Sequence, residues 1–171
     1  MLNVNSLTDL YHHMEWADAA VWTAVLASAE GKTDKKLLDY FYHLHMVQFS
    51  FLRVWRGEPR ETPFPTPDSA KALMGWGRTY YADAVAHLAT MSDTALAQPM
   101  PVPWAAMVER SLGRKPETTT LGETALQVTL HSLYHRGQIN ARLKDLGGKP
   151  PIVDFIVWVW LGRPGAVWLP S

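Results

Sequence analysis

Residues 120 to 146 constrain the fold most, because both ends of one long helix are written into them. Thr120 followed by Glu123 is a capping box. Gly147-Gly148 and Pro150-Pro151 stop the helix at the other end. Leu126, Leu130, Leu133, Ile139, Leu143 and Leu146 give it an apolar stripe. His131 and His135 lie four residues apart within it, so they share one face about one turn apart. Two imidazoles so placed can converge on a single metal ion.

Three more segments carry helical periodicity. In residues 6 to 29, Leu7, Leu10, Tyr11, Met14, Ala17, Val21, Ala24 and Val25 recur at three- and four-residue steps. Ser6 serves as N-cap and Gly31 ends the segment. His12 and His13 read as exposed or partly buried surface histidines. Thr33 or Asp34 caps a second helix that runs to about Trp55 and stops at Gly57 and Pro59. Its stretch from Leu37 to Leu52 is apolar nearly all round, as in a helix buried on more than one side. A histidine there needs a partner, since burying an unpaired polar group costs about 1–3 kcal/mol. A hydrogen bond or a metal would serve. His43 and His45 stand about 200° apart on the wheel, so only one of them faces a given site.

Residues 58 to 67 are rich in proline and form a connection. A third helix starts after Thr66 or Asp68, with Pro67 in its first turn, and runs to about Met91. Gly75 and Gly77 weaken its early part. Residues 92 to 120 read as irregular, with a short hairpin pairing 102–110 with 117–119; long loops in compact domains often serve function. The apolar tail Val153 to Gly162 reads as a short helix led by Pro151 and Asp154, packed on the bundle or on a second subunit. Four long amphipathic segments predict an all-α, up-down-type four-helix bundle over residues 1–171, with a long irregular connection before the fourth helix.

Composition narrows the function classes. Lys plus Arg and Asp plus Glu number 16 each, which argues against a polyanion partner such as nucleic acid. There is no cysteine, so disulfides, thiolate ligands and a cysteine nucleophile are excluded. Residues 1 to 15 lack the basic and apolar regions of a signal peptide, and no apolar run reaches the roughly 18 residues of a membrane span. A cytoplasmic location is expected. Eight tryptophans favour an apolar pocket or an oligomer interface.

The run His131-Ser-Leu-Tyr-His135-Arg136-Gly137-Gln138-Ile139 resembles the signature of the DinB/YfiT-like family of four-helix-bundle metalloenzymes. Relatives carry His-x-x-x-His-Arg-Gly-Gln on the fourth helix and a third histidine upstream, followed about fourteen residues later by glycine. His43 and Gly57 match that spacing and His45 does not. Trp16-Ala17 matches part of a first-helix motif. Tyr134, Gln127 and Gln48 stand where relatives often have histidine or an acid.

The resemblance implies His43, His131 and His135 as ligands of a divalent metal ion, zinc first, with nickel, manganese or iron also compatible with imidazole. It implies a metal-dependent enzyme acting on a small molecule, either a transferase using a low-molecular-weight thiol or a hydrolase. It also implies a homodimer. Other classes are a non-catalytic metal- or small-ligand-binding bundle related to stress, and a purely structural partner-binding bundle. Arg136 is expected to tie its helix to an acidic partner, Gln138 to hold a neighbour by hydrogen bonds, and Gly137 to allow close helix packing. Trp16 reads as core or pocket wall. Glu15, Asp18, Gln48 and Tyr134 are the candidates for a general base.

Overall fold

The computed structural model describes residues 2–59 and 61–170. Among them are seven helices and no strand: α1 Val4–Ala27, α2 Lys35–Arg56, α3 Ala70–Leu88, α4 Asp93–Leu96, α5 Ala105–Leu112, α6 Leu121–Asp145 and α7 Phe155–Trp160. None is long and apolar enough to cross a membrane.

The caps explain the boundaries. The Asp34 carboxylate accepts from the backbone N–H of Leu37 and starts α2. Gly57, at φ 65°, ends it in the left-handed region that glycine enters without strain. Thr120 and Glu123 close their reciprocal box at the head of α6. Two starts differ from expectation. α1 begins earlier, because the Asn3 side chain accepts from the Ser6 N–H. α3 begins after Ser69, which leaves Pro67 outside the helix.

The expected hairpin is not formed. Residues 105 to 112 are helical, and Gly113 at φ 67° ends them. Ala105, Val108 and Leu112 recur at helical spacing, and that periodicity prevails over strand pairing. An isolated bridge joins Pro99 to Thr120, outside the two segments expected to pair.

Each of α1 and α2 packs against both α3 and α6. α2 and α6 run antiparallel: Asp34 meets Arg142, Gln48 meets Ser132, and Trp55 meets Thr124. The buried apolar residues fall into two clusters. One gathers Leu7, Tyr11, Leu52, Trp55, Tyr80 and Val128. The other gathers Val21, Trp22, Leu37, Phe41, Met74 and Ile139. On every long helix the two sets are separated along the chain; between them α1, α2 and α6 place the buried polar residues Asp18, His45, Gln48, Ser132 and Arg136, and α3 places Gly77.

That polar layer corrects the predicted stripe of α6. Leu130 and Leu133 are 52% and 53% exposed. The inward face is Leu121, Ala125, Val128, Ser132, Arg136, Ile139 and Leu143. Leucine spacing alone pointed elsewhere because two inward positions are taken by polar residues with partners on other helices.

His13 is also buried, not a surface residue. Its Nε2 lies 2.9 Å from the Val153 carbonyl, and its ring packs edge-on against Phe155. Through it the tail docks on α1, with Trp158 buried and its indole donating to the Pro164 carbonyl.

Candidate metal centre

His43 comes from the middle of α2, and His131 and His135 from the middle of α6. Antiparallel packing brings them together. Ring centroids are 5.2 Å apart for His43–His131, 4.7 Å for His43–His135 and 4.4 Å for His131–His135. One nitrogen of each ring lies within 4.8 Å of the others. No carboxylate joins this group among the described residues.

The electrostatics keep the rings neutral. Burial lowers the pKa of His43. It lowers that of His131 to about 4, with the neighbouring His135 and His43 adding to the effect. His135 is lowered by burial and then by His43, against a raising contribution from Gln138. Neutral imidazoles present lone pairs, as metal ligation requires. Nε2 of His131 and Nδ1 of His135 are buried without a hydrogen-bond partner, as is Oε1 of Gln138. Buried polar atoms normally have partners, so this concentration of unpaired nitrogens fits a site built for an ion.

His45 is held differently. The Trp22 indole donates to its Nε2 at 3.0 Å, which assigns the proton to Nδ1, and Nδ1 donates to Gln48 Oε1 at 2.8 Å. Both ring nitrogens are satisfied. The ring also lies against Gly77, where a Cβ would overlap it. Gly77 therefore makes room for a histidine, a close approach that the sequence did not disclose.

Gln48 continues the chain of contacts. Its Nε2 lies 3.2 Å from Ser132 Oγ, 3.2 Å from the Tyr81 hydroxyl and 3.4 Å from Asp18 Oδ2. The Tyr81 hydroxyl donates to Asp18 Oδ2. Arg136 Nη1 donates to Asp18 Oδ1 at 2.5 Å, with both side chains almost fully buried. Ser132 and Arg136 each follow a candidate ligand of α6. Pinning them inward fixes the rotation of α6 and so the face on which His131 and His135 stand.

The expected role of Arg136 is thus present, with Asp18 as the acid. Gln138 donates from Nε2 to the Tyr134 hydroxyl at 3.2 Å, the predicted neighbour contact. The reading of Gly137 fails: a Cβ there would meet open space. Among the proposed bases, Glu15 Oε1 accepts from the Trp168 indole at 3.1 Å, and Asp18 and Gln48 are committed to the buried network. Tyr134 alone packs on a candidate ligand, 5.1 Å from the ring of His135. Tyr40 was not anticipated. It stands one turn before His43 on α2, 6.3 Å from the His135 ring, and that spacing was its only signal.

No family model matches this chain, and no curated protein is found similar to it.

Proposed function

We propose that this chain is a metal-dependent enzyme of the DinB/YfiT type, with its four long helices forming that family's bundle and His43, His131 and His135 holding one divalent ion. The observation that carries the reading is the convergence of three imidazoles from two antiparallel helices, with one nitrogen of each within 4.8 Å of the others. Zinc is the first expectation, since it accepts three imidazoles and leaves a coordination position open. Such an ion supplies Lewis acidity, lowering the pKa of a water or thiol that binds it.

Transfer involving a small thiol is favoured over hydrolysis. No carboxylate joins the three rings among the described residues, and Glu15 and Asp18 are engaged elsewhere. A thiol, with an ordinary pKa of about 8.5, needs less help from a base than water does. The chain has no cysteine, so the sulfur belongs to a cosubstrate. The protein's own part is to hold three neutral donors in place and keep Tyr134 and Tyr40 beside them. The exposed Leu130, Leu133, Ile156 and Trp160 support pairing of two copies.

The test is elemental analysis of untagged protein. We expect about one divalent ion per chain and its loss in His135→Ala. Full occupancy in that variant would remove the ligand assignment. A screen of small thiols against electrophiles then separates catalysis from storage or sensing.

A further inference from the structure

A cleft of about 460 Å³ lies between α5 and the α2–α6 pair. Phe51 of α2 and Thr124 and Gln127 of α6 form one side, and Trp104, Ala105, Val108 and Leu112 form the other. The volume falls in the range of small-molecule sites.

The α5 helix is unusual in this chain. Ala105, Val108 and Leu112 share one face, with Met107 on the other side, and none of its residues is buried. Val108 and Leu112 remain 44% and 56% exposed although they line the cleft. An amphipathic helix normally buries such a face against its own core. Here the face stands over open space.

No histidine lines the cleft, but it borders the α6 turn that precedes His131. Gln127 precedes His131 by one turn of α6, about 6 Å along the axis. The Cα–Cβ bond of a helical residue tilts toward the N-terminus, which for His131 is the end where Gln127 stands. Phe51 follows His43 by about two turns on the facing helix. Phe51 and Trp104 meet edge to face, with centroids 4.9 Å apart, and form an aromatic corner. The one charged residue of the lining, Glu123, is bound to Thr120 in the helix cap. The Thr119 and Thr124 hydroxyls donate to the backbone carbonyls of Met100 and Leu121, so the walls offer apolar and aromatic surface with the amide of Gln127 as a polar contact.

We infer that this cleft takes the cosubstrate of the metal centre, and that the cosubstrate is a neutral small molecule with an aromatic or otherwise apolar body. The inference rests on the proposed metal-dependent function. α5 is then a cover that completes its packing on the bound molecule.

The experiment uses the full chain and the neutral fluorescent probe N-phenyl-1-naphthylamine. The wild type is expected to bind one probe per chain. Val108→Asp places a carboxylate in the apolar wall and should weaken binding by about tenfold or more. Met107→Asp, on the exposed side of α5, should leave it unchanged. Both positions are exposed enough for the variants to fold. Absence of probe binding, or equal effects of the two variants, would overturn the cleft assignment.

Cobalt(II) then reports on proximity. Loaded at the histidines, it should quench the bound probe in the wild type and not in His135→Ala. Cobalt uptake without quenching would overturn the link between cleft and metal centre. If the wild type takes up no cobalt, the metal reading falls, and the cleft's preference for apolar molecules is still decided by the two aspartate variants.

Discussion

Asp18→Asn is the most informative single change to the buried network. Asp18 and Arg136 side chains are 1% and 3% exposed, so the guanidinium has no recourse to water. Three donors converge on the carboxylate: Arg136 Nη1, the Tyr81 hydroxyl and Gln48 Nε2. Arg136 Nε is already without a partner. Removing the negative charge leaves a buried cation uncompensated, which destabilises by about 3–5 kcal/mol. Domains are stable by only about 5–15 kcal/mol, so the loss is a large share. At about 2–4 °C per kcal/mol for a chain of this size, the midpoint should fall by about 6–20 °C. Urea unfolding measures it directly. Asp18→Leu with Arg136→Met removes both charges and should recover the part of the loss due to the uncompensated cation, while Tyr81 and Gln48 still lack their acceptor. A single variant losing under about 1 kcal/mol, or a double variant as unstable as the sum of its parts, would refute the argument.

Two glycines should respond in opposite directions. Gly77→Ala drives a Cβ into the His45 ring and should cost about 1–3 kcal/mol, with loss of the Trp22–His45 bond. Gly137→Ala meets nothing and should stabilise by about 0.5–1 kcal/mol, both read by urea titration. Stability should also fall in mild acid. Burial holds His13 and His87 below their ordinary pKa of 6.5. The unfolded chain takes up those protons near 6.5, so stability is full above that value and declines as pH drops below it. Unfolding midpoints at pH 7.5 and 5.5 check this; equal stability at both would contradict it. Asp34→Ala removes the cap of α2 and the partner of Arg142, and thermal melting should show a loss of about 1–2 kcal/mol.

The parts legible in the sequence were those set by neighbours along the chain. Asp34, Gly57, Thr120 and Glu123 act within four residues of the ends they define. The choice of His43 over His45 was different in kind. The helical wheel separated the two faces but could not say which one looked toward α6; only the resemblance of the His43–Gly57 spacing to a known pattern pointed to His43. The inward face of α6 was misread because Leu130 and Leu133 share their period with Ser132 and Arg136, and only Gln48 and Asp18, distant in sequence, decide which set turns inside. α5 was missed because its period rests on three positions, Ala105, Val108 and Leu112, in an eight-residue helix that no side chain caps.

The division of the interior into two greasy halves with a charged and amide-rich waist has a mechanical result. Sliding α1 or α6 by one turn, about 5.4 Å, would set Asp18 or Arg136 among apolar side chains and strand its counterpart. Longitudinal ratcheting is therefore barred, and the frame that carries the imidazoles behaves as a rigid jaw. Motion is left to the rim, where α5 lies on the bundle with none of its residues buried.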